Sequence, residues 1–170
     1  PFVRKRISCD AEMGKGYYHL LEAQRAGRRF LHLPRIYDVH RRDDELIVVM
    51  EFVAGRTLRD EVFACDPSLK LALRWFPLLC DGVAEMHSLA PAPLIHRDLK
   101  PDNVLVGEGQ LTVLDFGIAR PYRDGADSDT THFGTRSYAP PEQFGYGQTD
   151  VRSDGYALGM ILYFLLTERE

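Results

Sequence analysis

Hydrophobic and polar positions change rhythm several times along this chain. Residues 2–7 are short and extended in character and predict a strand. Residues 17–30 place Leu20, Leu21, Ala23, Ala26 and Phe30 at helical spacing, with Gly27 near the end. Residues 46–50 are a β-rich run behind a polar turn at 41–45. Val53, Ala54 and Gly55 then break the pattern, and a boundary between two lobes, 1–53 and 54–170, is placed there. Residues 69–89 predict a long amphipathic helix with Leu71, Trp75, Leu78, Leu79, Val83 and Met86 on one side. Pro77 lies inside it and predicts a kink. Two short strands, 104–106 and 111–114, flank Gly107, Glu108 and Gly109 and predict a hairpin. Residues 121–137 are rich in Asp, Gly, Ser and Thr and read as a polar loop, and a last helix begins near Ser153.

Composition narrows the class. The chain has 170 residues, 45% apolar and 27% charged, which excludes a disordered, collagenous or low-complexity protein. No span of about 20 apolar residues occurs, so no transmembrane helix is expected. The most apolar run, 156–167, reads as a buried helix. Cys9, Cys65 and Cys80 are far apart and form no paired motif. They predict reduced thiols in a cytoplasmic setting rather than a zinc site or disulfide framework. Residues 1–42 carry ten Lys/Arg against four Asp/Glu, and residues 43–170 carry eleven against twenty-one. The basic residues are scattered without aromatic interleaving, so a solvated face is expected and nucleic acid is not. Four lysines (5, 15, 70 and 100) stand among seventeen arginines, which draws attention to each of them.

The chemistry concentrates between residues 96 and 115. His96-Arg-Asp-Leu-Lys-Pro-Asp-Asn103 precedes the hairpin, and Asp115-Phe-Gly117 follows it. The hairpin can fold Asp115 back beside Asn103. A carboxylate and an amide carbonyl are hard oxygen ligands suited to Mg²⁺ together with substrate phosphates. Lys100 supplies a point charge for a transferring phosphoryl group. Asp98 remains as the acceptor of a hydroxyl proton.

These strings resemble the catalytic loop and metal-binding motif of a eukaryotic-type serine/threonine protein kinase of bacterial flavour. Tyr138-Ala-Pro-Pro-Glu142 resembles the end of an activation segment beginning at Asp115. Arg152 to Gly159 resemble the start of a buried central helix, and Val49 to Val53 resemble an inter-lobe hinge. The resemblance implies an α+β, two-lobed kinase fold. It implies transfer of the ATP γ-phosphoryl group to Ser/Thr hydroxyls of protein substrates. Asp98 would be the base and Lys100 would steady the γ-phosphate. Asn103 and Asp115 would hold Mg²⁺, with Mn²⁺ as a substitute. Leu105 would floor the adenine, Met50 would be the gatekeeper, and the backbone of Glu51 and Val53 would bond the adenine edge. His96, Phe116, Gly117, Glu142 and Asp154 would take structural parts, with Asp154 bracing the catalytic loop.

Family logic also needs a strand lysine paired with a glutamate on the next helix. Lys5 and Glu22 are the candidates. The same logic makes Arg97 the receiver of a phosphate on the polar loop. Thr131 is the expected phosphorylation site, with Thr130 and Ser128 as alternatives, and autophosphorylation in trans would supply it. Thr135 is expected to contact Asp98 rather than accept phosphate.

No glycine-rich phosphate-covering loop precedes Lys5. Met13 to Gly16 are expected to form the loop into the helix. A piece running from the third strand to the central large-lobe helix is expected, with its sheet edges and the apolar face of 156–166 prone to aggregate when uncovered. A membrane anchor outside these residues is compatible with this reading. Two rival readings are a pseudokinase binding module and a small-molecule phosphotransferase of related fold.

Overall fold

The computed structural model describes residues 1–8, 13–122, 135, 137–144 and 148–169. The first strand is β1, Phe2–Ser8, and the helix after it is α1, Lys15–Arg25. Strand β2, Ile36–Arg42, and strand β3, Glu45–Glu51, follow as a hairpin. The turn is the polar 41–45 region, with Asp43 at a positive φ of 52°. The three strands form an antiparallel sheet in the order β1-β3-β2.

Strand parity sets which side chains enter the small-lobe core. Leu46, Val48 and Met50 are buried, while their neighbours are more exposed. Cross-strand partners point to the same face of a sheet. Val3 pairs with Met50, Lys5 with Val48 and Ile7 with Leu46. Lys5 therefore faces inward between two apolar residues. Arg6 faces outward, where its guanidinium binds Glu45 at 2.7 Å.

Helix α1 is shorter than the apolar spacing predicts. Gly27 ends it at a φ of 92°, a left-handed conformation that glycine takes without steric cost. The amide of Gly27 donates to the Gln24 carbonyl and the amide of Arg28 to the Ala23 carbonyl, the Schellman pattern. Phe30 lies beyond the helix and packs against the core from the following loop. That loop is tied to the large lobe. Glu85 accepts hydrogen bonds from the amides of Leu31 (2.8 Å) and His32 (3.1 Å).

The large lobe opens with β4, Arg56–Thr57, and α2, Leu58–Cys65, neither of which was expected. Thr57 caps α2 by accepting from the Asp60 amide. Helix α3, Leu69–His87, runs through Pro77 without ending. The proline removes the partner of the Leu73 carbonyl, and Leu73 is exposed, so water can satisfy it. The buried stripe of α3 is Leu71, Ala72, Trp75, Leu79, Val83 and Met86. Strand β5, Leu94–Ile95, comes next, and a 3₁₀ turn spans Pro101–Asn103. The predicted hairpin is β6, Val104–Gly107, and β7, Gln110–Val113. Its two-residue turn has both Glu108 and Gly109 at positive φ, the geometry that matches strand twist. Strand β8, Arg120–Pro121, pairs with β5.

Helix α4, Val151–Thr167, carries Ala157, Ile161, Phe164 and Leu165 into the core beside α3. Tyr156, Tyr163 and Leu166 on its other side remain exposed. Among the described residues, no helix is long and apolar enough to cross a membrane. Asp150 starts α4 with a reciprocal capping box: it accepts from the Arg152 amide, and Ser153 bonds back to the Asp150 amide. Caps of this kind stabilise by about 1 kcal/mol. Asp150→Ala is therefore expected to cost about 1 kcal/mol, read as a lower urea midpoint with an unchanged slope.

Candidate active site

A cavity of about 560 Å³ opens between the lobes, lined among others by Lys5, Asp98, Lys100, Asp115 and Thr135. The sequence-predicted residues converge here from four elements. Strand parity delivers Lys5. The segment between β5 and the 3₁₀ turn delivers Asp98 and Lys100. The end of that turn delivers Asn103, and the exit from β7 delivers Asp115.

The Asp98 carboxylate is held from three sides. Thr135 donates its hydroxyl to Oδ1 at 3.0 Å. Asn103 Nδ2 donates to Oδ2 at 3.0 Å, and the Lys100 ammonium sits 3.0 Å from the same oxygen. Lys100 also donates to the Thr135 hydroxyl at 3.0 Å. Lysine, threonine and aspartate thus form a closed triangle, and Thr135 contacts Asp98 as the sequence predicts.

Asn103 has a second bond, from Nδ2 to the Asp98 backbone carbonyl at 2.8 Å. Its amide nitrogen is committed to Asp98, which presents Oδ1 as an acceptor. Asp115 has a positive φ of 64° and accepts from the Gly117 amide at 3.2 Å. An oriented amide oxygen and a carboxylate on neighbouring strand ends fit a hard divalent ion shared with phosphates. Among the described residues, no group of three or more His, Cys, Asp or Glu side chains could hold a metal by itself.

Lys5 donates to Asp115 Oδ1 at 2.5 Å. Burial opposes the charge on each partner, yet the pair wins on both sides. Asp115 lies below the usual carboxylate range, through the bond and charge of Lys5 and the Gly117 amide. Lys5 lies above its ordinary value, through Tyr17 and Asp115. Phe116 is fully buried between the rings of Tyr17 and His96, with centroids at 5.7 and 5.3 Å.

Glu22 is not brought to Lys5. It lies on the exposed face of α1, because Tyr17, Leu20 and Leu21 occupy the buried face. Tyr17, buried behind the site against Phe116, is a neighbour of Lys5 that sequence reasoning did not single out. An aromatic residue in an apolar helical stripe carries no signal that separates core from cleft.

The catalytic loop is braced by Asp154. Its carboxylate is 1% exposed and accepts from the amides of His96 (2.9 Å) and Arg97 (3.0 Å). His87 Nε2 approaches it at 2.8 Å. Arg97 is buried, bonds the Ile118 carbonyl and receives Gln143 on its own carbonyl. Burial pulls its guanidinium below the ordinary value. His96 Nε2 meets the Leu114 carbonyl at 2.9 Å. Glu142 accepts from the Ser153 hydroxyl at 2.9 Å. Met50 is buried at the inner end of β3, and Glu51 ends that strand just before Val53. Leu105 lies on β6. Thr130, Thr131 and Ser128 lie outside the described residues.

The family model of the protein kinase domain matches residues 24–170. The chain belongs to the protein kinase domain family. Similar relatives include serine/threonine-protein kinase PrkC of Bacillus subtilis, 37% identical over 79% of this chain and 21% of that protein. Serine/threonine-protein kinase A of Synechocystis is 35% identical over 83% of this chain and 29% of its own length. Serine/threonine-protein kinase PknB of Mycolicibacterium smegmatis is 38% identical over 71% and 20%. The chain therefore spans less than a third of these relatives. The family match begins inside α1, so Lys5, Tyr17 and Glu22 all precede it.

Two outcomes are expected. Asp154→Ala leaves buried amide donors without an acceptor, at about 1–3 kcal/mol each, so it should cost at least about 2 kcal/mol in urea unfolding. The Lys5–Asp115 pair should stabilise between about pH 4 and pH 10. Asp115 is depressed, so its contribution is present above the unfolded carboxylate value and is lost as pH falls below it. Lys5 is raised, so its contribution is present at lower pH and is lost above about 10. The melting-point gap between the wild type and Lys5→Met should shrink below about pH 4.

Proposed function

We propose that this chain is the nucleotide-binding and catalytic part of a protein kinase that phosphorylates Ser/Thr hydroxyls of proteins from ATP. The observation that carries the reading is the triangle of Asp98, Lys100 and Thr135. It places a carboxylate, a cation and a hydroxyl at mutual distances of 3.0 Å at the mouth of the inter-lobe cavity.

Thr135 occupies Asp98 Oδ1 with the kind of bond that a substrate Ser or Thr hydroxyl would make. Asp98 orients the incoming hydroxyl and takes its proton as the new O–P bond forms and the bond to the leaving diphosphate oxygen breaks. Lys100 places positive charge beside the transferring group. Catalysis of this kind is positioning and electrostatics, with little covalent chemistry by the protein. Asn103 Oδ1 and the Asp115 carboxylate would hold Mg²⁺ or Mn²⁺. Such an ion would offset the phosphate charge. Met50, the backbone of Glu51 and Val53, and Leu105 would border the adenine.

Asp98, Lys100, Asn103 and Asp115 are all present, and three of them are bonded to one another, which speaks against a module that only binds. Transfer between two copies, onto the stretch that contains Thr130 and Thr131, belongs to the same proposal.

The test is transfer of labelled phosphate from Mg-ATP to the protein itself and to a generic protein acceptor, in the full-length chain. Asp98→Asn keeps the shape of the side chain and removes the base. A loss of about 100-fold or more is expected. Undiminished transfer by Asp98→Asn would overturn the assignment.

A further inference from the structure

We propose that a basic cavity between the end of α1 and the start of β2 binds a phosphorylated Ser or Thr segment of a protein. The site lies outside the nucleotide cleft and takes no part in the transfer described above. Only the source of the phosphate rests on the kinase reading, because that activity makes phosphoserine and phosphothreonine.

The cavity measures about 690 Å³, against about 560 Å³ for the inter-lobe cavity. Arg28, Arg29 and Arg35 line it, together with Phe30, Leu33 and Glu51 among others. Local structure explains why three guanidinium groups meet. Gly27 reverses the chain at the end of α1, and Arg28 and Arg29 follow directly. Arg35 arrives from the residue before β2, and its backbone is pinned to the end of β3. The Glu51 amide donates to the Arg35 carbonyl at 2.8 Å, and the Arg35 amide donates to the Glu51 carboxylate at 3.1 Å.

These three charges are not neutralised. Elsewhere Arg6, Arg56, Arg59 and Arg152 each meet a carboxylate. Among the described residues, none of the guanidinium groups of Arg28, Arg29 and Arg35 does. The Arg28 guanidinium donates to the Ser88 hydroxyl at 2.8 Å. That of Arg35 lies over the Tyr37 ring, 5.4 Å from its centroid. Such contacts orient a guanidinium without offsetting its charge. Glu51 is committed to the Arg35 amide, so three cations face one acid and the surplus lies toward Arg28 and Arg29. A guanidinium presents paired N–H donors that match phosphate, and a phosphate dianion offsets this surplus better than one carboxylate.

The walls select a segment over a free ion. Leu33 is buried and Phe30 half-buried, so an apolar wall stands beside the cationic rim. A lone phosphate uses none of that wall. A phosphorylated residue with an apolar neighbour uses both.

The test uses the full-length protein and fluorescence anisotropy in the absence of nucleotide. The probe is a labelled peptide with one phosphoserine beside a leucine, and its unphosphorylated twin is the reference. The phosphopeptide should bind about tenfold or more tighter than the twin, and the preference should shrink as salt rises. Arg29→Glu combined with Arg35→Glu should remove the preference. Both side chains are exposed, so the melting point should not fall. Arg29→Gln alone should reduce the preference several-fold. Arg41→Glu combined with Arg42→Glu, at the exposed end of β2, changes the net charge equally and should leave it intact.

Equal binding of the twin overturns the proposal, and so does a preference that survives Arg29→Glu with Arg35→Glu. Equal binding of a peptide with glutamate in place of the phosphoserine overturns the phosphate assignment in favour of an acidic segment. Inorganic phosphate that binds as tightly as the phosphopeptide overturns the segment in favour of a free ion. Phosphopeptide preference in a wild type that transfers no phosphate overturns the kinase reading and leaves this site standing; transfer without the preference does the reverse.

Discussion

Arg97 sits at a φ of 70°, a left-handed conformation that costs a non-glycine residue about 1–2 kcal/mol. Two features of the surroundings impose it. The amides of His96 and Arg97 both point at the Asp154 carboxylate, and the Arg97 carbonyl receives the Gln143 side chain. With its amide held by Asp154 and its carbonyl held by Gln143, the peptide planes on both sides of the Arg97 Cα are fixed, and the chain turns sharply there. That bend turns the following residue, Asp98, out of the packed interior and into the cavity. The strained residue precedes the proposed base because the base must leave the core over a single peptide unit.

Asp154 can do this because α4 is anchored elsewhere. Its first turn is fixed by the capping box of Asp150 and Ser153, and Ser153 also donates to Glu142. One turn of helix thus holds the end of the 115–142 segment and the catalytic loop together. Thr135, seven residues before Glu142, closes the same circuit by bonding Asp98 and accepting from Lys100. The site is not a set of side chains on one scaffold. It is a loop and a segment locked to each other through the start of one buried helix.

Much of this was legible in the sequence because it is local. The strings at 96–103 and 115–117 carry their chemistry at fixed spacing, and the hairpin between them announces itself through Gly109. The identity of Lys5 follows from strand parity once Leu46, Val48 and Met50 are seen to be the buried set. Other elements are not written locally. Strand β2 has a register shift between Ile36 and Asp38, which destroys the two-residue alternation that marks a strand. Helix α2 is eight residues long, and its apolar contribution to the core is Leu58 and Val62. It stands on its Thr57 cap and on Glu61, whose buried carboxylate takes the Trp75 indole N–H at 3.1 Å. Strands β4, β5 and β8 have two residues each and exist through their partners.

The rotation of α1 shows where sequence reasoning reaches its limit. Helical period says which residues share a face. It does not say which face turns inward when two faces compete. In α1 one face offers Tyr17, Leu20, Leu21 and Gln24, and another offers the acid that the family pattern calls for. Burying the first removes three large apolar side chains from water, at about 1.5–3 kcal/mol for each aliphatic side chain, and lets Gln24 satisfy two backbone groups of the next loop. Burying Glu22 instead would desolvate a carboxylate for one ion pair, a trade that can cost as much as it returns. The family match starts at residue 24, so it does not reach this choice. Packing decides it, and in this structure it buries Tyr17, Leu20 and Leu21 and leaves Glu22 on the exposed face.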